Sequence, residues 1–248
     1  MLDRGSIKMR LYKSVLELIY PKRCPICEKI VIPKGAFICE ECYGKLQWVN
    51  APYCMKCGKP IGSPYKEYCY DCENKNFHYE YGYGMWIYDE NMRRSIVGFK
   101  YKNRREYAEF YVRELLSHYG EKIRRMDVDV IVPVPVHKKR YRKRGYNQAA
   151  ILAKGLGAGL GIEVEENLLI RCKYTMPQKS LNDKERLHNL EKAFQINKKL
   201  KLKYEHKKVL LIDDIYTTGS TIEACTNVLL RAGIEKVFFV SLCIGKGY

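Results

Sequence analysis

The pattern of apolar positions predicts alternating strands and helices over most of the chain. Short apolar or β-branched runs predict strands at residues 128–136, 168–171, 193–196, 209–212 and 237–244. Apolar residues spaced three or four positions apart predict helices at residues 91–101, 104–119, 147–160 and 221–232. The alternation of Tyr79, Tyr81 and Tyr83 predicts a further strand or hairpin within residues 77–90. We therefore expect an α/β fold, with a mostly parallel sheet and helices on both faces.

The first twenty residues are predicted to contain a short amphipathic helix. An apolar run at residues 11–20 is interrupted by Lys13 and Glu17, and no small-residue cleavage site follows it. This pattern differs from a signal peptide, and no stretch approaches the roughly 20 apolar residues that span a bilayer. We therefore expect a cytoplasmic protein without a transmembrane segment.

Eight of the eleven cysteines form an internal repeat with the pattern C-x2-C-x11-C-x2-C. The two copies are Cys24, Cys27, Cys39 and Cys42, and then Cys54, Cys57, Cys69 and Cys72. Four thiolates complete a tetrahedral Zn²⁺ site and leave no open position, so two structural zinc sites are expected. A redox or disulfide role, an iron–sulfur cluster and cross-braced pairing remain alternatives. The repeat divides the chain into residues 1–20, a double zinc ribbon at 21–76, and a larger domain at 77–248.

The segment from residue 209 to 221, VLLIDDIYTTGST, carries the most specific chemistry. An apolar strand runs into two adjacent acids, followed by a loop of hydroxyl residues with one glycine, and then by a helix. Backbone amides at a helix N-terminus bind phosphate, and Gly219 lets the backbone approach closely. The carboxylates of Asp213 and Asp214 repel a phosphate, so we expect them to meet sugar hydroxyls or a cation. A ribose 5′-phosphate fits both halves of the segment.

A strongly basic segment follows the strand predicted at residues 128–136. Six of the eight residues from His137 to Arg144 are Lys or Arg, in a chain of net charge +17. A cationic loop of this kind can face a pyrophosphate group, while a solvated turn or a nucleic-acid patch are the alternatives. Tyr141 and Tyr146 lie among these cations and suit stacking on the bases of single-stranded DNA.

The chain resembles the ComF family, in which a double zinc ribbon precedes a type I phosphoribosyltransferase-like domain. The resemblance is carried by YPKRCPIC, FKY, PVPVHKKRYRKRGYNQ, the acid pair with TTGST, and Arg171, Thr175, Gln178, Arg186, Asn189 and Phe194. It implies binding of 5-phosphoribosyl-1-pyrophosphate (PRPP) with Mg²⁺, in which Asp213 and Asp214 are catalytic and bind the ribose hydroxyls. The implied 5′-phosphate ligands are Thr217, Thr218, Gly219, Ser220 and Thr221. The implied pyrophosphate and lid residues, with the lid at residues 173–192, are Lys100, His137, Arg142, Arg144, Arg171 and Arg186.

The same resemblance implies a role in natural competence, the uptake of single-stranded DNA for transformation. Partners would then include single-stranded DNA and other competence proteins, such as a DNA-uptake helicase. Related 6-oxopurine transferases carry an aspartate as general base where this chain has Thr217, so that purine-salvage activity is disfavoured. Two hypotheses follow. One is a phosphoribosyltransferase with an unidentified acceptor, and the other is a non-catalytic module that binds single-stranded DNA or partner proteins on a vestigial transferase fold.

Overall fold

Five parallel strands form the central sheet of the computed structural model, which describes residues 21–33, 35–173 and 189–246. In chain order, the described residues form seven strands, five of them in this sheet: β1 (Gly82–Ile87), β2 (Val130–Pro133), β3 (Glu163–Val164), β4 (Leu169–Arg171), β5 (Phe194–Ile196), β6 (Lys208–Tyr216) and β7 (Lys236–Ile244). The sheet order is β1-β7-β6-β2-β3, and every neighbouring pair in it is parallel. Strands β4 and β5 form a separate antiparallel pair.

Helices connect these strands and cover the sheet. They are α1 (Glu40–Tyr43), α2 (Tyr70–Asn74), α3 (Glu90–Tyr101), α4 (Tyr107–Arg125), α5 (Lys138–Arg144), α6 (Gln148–Leu160), α7 (Lys201–Tyr204) and α8 (Ser220–Arg231). Side-chain caps fix where several of them begin. Asp89 accepts a hydrogen bond from the amide of Met92 at the start of α3, and Asn147 accepts one from Ala149 at the start of α6.

Strand β6 contributes to hydrophobic clusters on both faces of the sheet, because successive strand residues point in opposite directions. Leu210 and Ile212 belong to the cluster that contains residues of α3, α4 and α6. Val209 and Leu211 belong to the cluster that contains residues of α8. The expected α/β fold, a mostly parallel sheet with helices on both faces, is confirmed.

The joint between the two cysteine repeats lies along the outer edge of β1. Trp48 forms an antiparallel bridge with Trp86. The amide of Val49 donates to the carbonyl of Met85 at 3.1 Å. The joint therefore continues the hydrogen bonding of the sheet beyond its edge strand.

The basic segment after β2 forms helix α5, so the prediction of a loop there was wrong. The Nδ1 atom of His137 accepts from the amide of Lys139 at 3.2 Å and caps the start of the helix. Gly145 ends it in the left-handed conformation, at φ +79°, and its amide donates to the carbonyl of Tyr141 at 2.7 Å. These two caps, and basic side chains in the last turn near the negative end of the helix dipole, stabilise a short helix rich in cations.

Two other elements differ from their predictions. Strand β6 continues past residue 212 to Tyr216, because its polar end still pairs with β7. Residues 77–90 hold the single strand β1, parallel to β7, and no hairpin. The helix predicted within residues 1–20 and the central part of the predicted lid, including Arg186, lie outside the described residues. Across the described ranges, no helix is both long and apolar enough to cross a bilayer.

Candidate functional site

The turn between β6 and α8 contains a glycine that no other residue could replace without strain. Gly219 has φ +80°, and a Cβ built on it would lie 2.5 Å from the hydroxyl of Tyr216 and 3.0 Å from ring atoms of Phe77. Gly219 also holds the N-cap position of α8, where no side-chain cap is formed. The first amides of α8 are therefore available to an external acceptor, and the positive end of the helix dipole favours an anion there.

Hydroxyl groups surround this helix start. Thr217 and Thr218 are exposed, and Ser220 and Thr221 are partly exposed. The Oγ1 atom of Thr218 lies 2.9 Å from the Oγ atom of Ser220. The structure thus brings together, on one turn, all five residues expected to hold a phosphate.

The two acids at the end of β6 have different surroundings. Asp214 is largely buried, and one of its carboxylate oxygens accepts from the ammonium of Lys100 at 2.8 Å. Asp213 accepts from the backbone amide of Asp214 at 2.8 Å. Burial, followed by repulsion from Asp214, raises the pKa of Asp213 to about 7 against the opposing attraction of Lys100 and Arg171. Burial alone would lower the pKa of Lys100, but the nearby carboxylates outweigh it, and the pKa lies above its ordinary value.

Each residue of the Phe99–Lys100–Tyr101 segment connects the end of α3 to another part of the site. The carbonyl of Phe99 accepts a hydrogen bond from the hydroxyl of Tyr146, and Lys100 reaches the acid pair. Arg144 donates to the hydroxyl of Tyr101 at 2.8 Å, and its guanidinium lies 4.6 Å from the centre of that ring. Tyr146 is buried, so its expected stacking on DNA bases was wrong, whereas Tyr141 is 51% exposed.

The predicted pyrophosphate residues fall into separate groups. Lys100 contacts Asp214, and Arg171 lies within electrostatic range of Asp213. His137 and Arg142 belong instead to the basic helix and its cap, where Arg142 is exposed. The structure therefore brings two of these cations to the acid pair and gathers others on α5.

A cavity of about 350 Å³ lies between α5 and β4. Its lining includes Pro135, Lys138, Tyr141, Asn147, Glu166 and Arg171. Burial and then the neighbouring Arg140 lower the pKa of Arg171. Arg171 lines this cavity and also interacts electrostatically with Asp213, so the cavity and the acid pair share one cation.

The cysteines of each repeat converge on one point. In each copy, the four sulfur atoms all lie within 4.8 Å of one another. Cys27 and Cys39 bring their sulfurs to 3.7 Å, and Cys57 and Cys69 to 3.6 Å. No disulfide joins any cysteine of the described ranges. The sequential pairing is therefore the arrangement found, and the all-thiolate sets fit two closed structural zinc sites.

Sequence analysis did not single out Glu223, a fully buried acid in the first turn of α8. The backbone amide of His78 donates to one of its carboxylate oxygens at 2.9 Å, and the ring Nδ1 of His78 contacts the other. The sequence nevertheless contains a signal for this buried acid. Glu223 is a charged residue next to Ile222 and Ala224, within the stripe of α8 that faces the core.

Comparisons with known proteins agree with this architecture. Residues 15–73 match the double zinc ribbon domain family, and residues 111–247 match the phosphoribosyl transferase domain family. Competence protein F of Haemophilus influenzae is 29% identical over 224 residues, which cover 87% of this chain and 93% of the relative. DNA utilization protein YhgH of Escherichia coli K12 is 27% identical over 91% of this chain and 98% of its own length. Competence protein ComFC of Bacillus subtilis is 27% identical over 79% of both chains.

Solved structures of phosphoribosyltransferases are more distant. A hypoxanthine phosphoribosyltransferase from Staphylococcus aureus has a TM-score of 0.37 and 19% identity, covering 55% of this chain and 64% of that one. A purine phosphoribosyltransferase from Pyrococcus horikoshii has a TM-score of 0.33 and 20% identity, covering 54% of this chain and 73% of that one. At this distance the likeness carries no argument about substrate. Because its larger domain matches the phosphoribosyl transferase domain family, the chain belongs to that family. The double zinc ribbon that precedes this domain and the full-length relatives make it a ComF-type member.

Proposed function

We propose that the turn between β6 and α8 binds PRPP, with the 5′-phosphate on residues 217–221 and the ribose hydroxyls on the acid pair. The observation that carries the proposal is the N-terminus of α8, whose N-cap residue Gly219 provides no side-chain cap and follows the two carboxylates after a short turn. An anion is favoured at the helix start, and a neutral diol is favoured beside the carboxylates. A ribose 5-phosphate presents these two groups side by side.

The chemistry that such a site supports is displacement of pyrophosphate from C1 of the ribose. Mg²⁺, if bound together with PRPP, would neutralise charge on the leaving group, and the carboxylate oxygens of Asp213 and Asp214 are ligands that suit this hard cation. The chain itself supplies positioning. Asp213 and Asp214 orient the ribose, and Lys100 and Arg171 provide positive charge nearby. Thr217 is a poor base at neutral pH, so the acceptor on this proposal is a nucleophile that is already anionic or acidic.

The biological setting proposed for this site is the handling of single-stranded DNA during natural transformation. The support is in the names of the relatives, which refer to competence and to DNA utilization. If the PRPP pocket serves that process, Asp213→Asn will abolish transformation and leave DNA binding by the purified protein unchanged. Equal transformation by the variant and the wild type would contradict this role.

The test of PRPP binding is calorimetric titration of PRPP with Mg²⁺ into the zinc-loaded protein. We expect a micromolar Kd, which corresponds to about −8 kcal/mol. The control is the double variant Asp213→Asn/Asp214→Asn, in which binding should be lost while the thermal unfolding transition remains cooperative. No heat of binding in folded wild-type protein would refute the proposal.

A second candidate function, binding of single-stranded DNA, is favoured by the surface of α5. Tyr141 is 51% exposed, and Lys138, Arg142 and Lys143 are exposed on the same helix. Cations that hold the phosphate backbone and an aromatic ring that stacks on bases are the usual components of a single-strand site. This candidate predicts binding that persists when Asp213 is replaced and that weakens steeply with salt.

A further inference from the structure

Residues 77–79 lie between the second cysteine repeat and β1 and pack against the turn between β6 and α8. Residues 217–221 of this turn, which we propose to hold the 5′-phosphate, are called the phosphate loop below. Ring atoms of Phe77 lie 3.0 Å from the position that a Cβ of Gly219 would occupy. The hydroxyl of Tyr79 lies 2.7 Å from the hydroxyl of Tyr216, the last residue of β6. Phe77 thus packs against the loop at Gly219, and Tyr79 contacts the side chain of the residue that immediately precedes the loop.

The residue between these rings holds the first turn of α8. His78 contacts both carboxylate oxygens of the buried Glu223, one through its backbone amide and one through its ring. The amide of Glu223 in turn donates to the carbonyl of Gly219 at 2.8 Å. Glu223 therefore links His78 to Gly219, the N-cap residue of α8, through two successive contacts.

The second cysteine repeat packs against the same elements. Three of its four cysteines are buried in one hydrophobic cluster with Tyr79, Tyr216 and Ile222. Those cysteines are Cys54, Cys57 and Cys69. Since Ile222 lies in the first turn of α8, this cluster joins the expected zinc site to both sides of the loop.

Buried Lys59 provides a further connection between the second cysteine repeat and the end of β6. Lys59, in the second repeat, is 5% exposed and donates to Asp71 of α2 at 2.7 Å. Its ammonium lies 5.8 Å from the centre of the Tyr216 ring. The position of α2, which carries Cys72, therefore determines where this cation sits relative to the end of β6.

The first cysteine repeat has no comparable contact with the loop within the described residues. Its buried cysteines, Cys24 and Cys42, form a small cluster of their own with Val31. One ion pair that joins it to the larger domain, between Glu28 and Lys102, is exposed on both sides. The two repeats thus offer a matched comparison of one zinc module beside the loop and one away from it.

We infer that zinc in the second repeat positions the phosphate loop, through residues 77–79, and that PRPP affinity depends on this one metal site. The inference rests on the proposed function only for its ligand, since the contacts themselves belong to the protein without PRPP. Small Cys₄ modules fold on metal binding. Without zinc, the packing of the second repeat against Tyr79 and Tyr216 is lost, and the loop loses its support.

The experiment compares Cys57→Ser with Cys27→Ser, which removes the corresponding ligand of the first repeat. Zinc content, PRPP·Mg²⁺ affinity and amide hydrogen exchange of residues 217–223 are measured for each, with the amides of β7 as an internal reference for global folding. We expect Cys57→Ser to weaken PRPP binding and accelerate loop exchange by about tenfold or more, and Cys27→Ser to stay within about twofold of wild type. If Cys57→Ser fails to fold, His78→Ala decides, with both zinc ions retained and an expected loss of about threefold or more in affinity and loop protection.

Equal loop protection in wild type, Cys57→Ser and His78→Ala would overturn the inference. Equal losses in Cys57→Ser and Cys27→Ser would also overturn it, because the effect would then belong to the ribbons as a whole. If wild type does not bind PRPP but the loop still exchanges faster only in Cys57→Ser and His78→Ala, the proposed function fails and the coupling stands.

Discussion

The ammonium of Lys100 lies 2.8 Å from a carboxylate oxygen of Asp214, and the two side chains are only 16% and 12% exposed. This ion pair joins the last turn of α3 to the end of β6. It gives Asp214 a direct ion-pair partner, whereas Asp213 accepts a hydrogen bond from the backbone amide of Asp214 and interacts with Lys100 and Arg171 only through longer-range attraction. The two acids therefore enter any reaction with different properties, although they are adjacent in the sequence.

The first prediction concerns this pair. Lys100→Met should destabilise the fold by about 2 kcal/mol, because it leaves a largely buried carboxylate without its partner. The same variant should weaken PRPP binding, since Asp214 would lose its orientation. Lys102→Met, at the C-cap of the same helix, is the control, and its loss should stay below about 1 kcal/mol because its ion pair with Glu28 is exposed. Chemical denaturation measures the unfolding free energy of both variants, and equal losses would contradict a stabilising role for the Lys100–Asp214 ion pair.

The second prediction follows from the raised pKa of Asp213, which lies at about 7 in the folded protein. The fold favours the protonated acid, so this contribution to stability is complete at low pH and declines as pH rises through about 7. Asp213→Asn cannot ionise, so its stability relative to wild type should grow between pH 6 and pH 8.5, by about 1–2 kcal/mol. Denaturant unfolding of both proteins without ligand at the two pH values checks this, and a pH-independent difference would refute it.

The third prediction concerns the backbone of the proposed phosphate loop. Gly219→Ala combines a positive φ with a Cβ that meets Tyr216 and Phe77, and should cost about 2–4 kcal/mol. Gly161→Ala is the control, because its φ is +73° but nothing lies within 4 Å of the added Cβ. That variant should cost only about 1–2 kcal/mol. Similar unfolding free energies for the two variants would contradict this prediction, because they would show that Tyr216 and Phe77 move aside at little cost.

The fourth prediction separates the two candidate functions. If α5 binds single-stranded DNA, Arg142→Gln/Lys143→Gln should reduce the slope of log affinity against log salt by about 1.4, or about 0.7 for each lost phosphate contact. PRPP affinity should change much less. Lys198→Gln/Lys199→Gln, a pair of adjacent exposed lysines elsewhere, should leave the slope unchanged. Fluorescence anisotropy over a salt series measures the slopes.

Sequence patterns predicted the fold class because buried parallel strands are continuous apolar runs, and β6 and β7 are of that kind. They also predicted the cysteine groups, because the repeat fixes which four ligands come together. The basic helix α5 was not predictable in this way. A run of Lys and Arg has no hydrophobic period, and what makes it helical is the pair of caps at His137 and Gly145.

The contacts within the candidate site were beyond the reach of sequence patterns. Lys100 and Asp214 are separated by 114 positions, and His78 and Glu223 by 145. Neither pair has a local signal, because each depends on how α3, β6 and α8 pack around the sheet. The burial of Tyr146 could not be predicted for the same reason, since it depends on contacts with the distant residues Phe99 and Arg105 and with the core.

The pairing of residues 47–49 with the edge of β1 has a consequence for how the chain can be divided. A fragment that started at residue 77 would contain the whole transferase-like sheet but would leave the backbone groups of β1 unpaired on one side. An uncovered edge strand is a template for adding strands from other molecules. The short connection between the two cysteine repeats thus covers the edge of the transferase-like domain, and an isolated domain that begins at residue 77 should aggregate where the full chain does not.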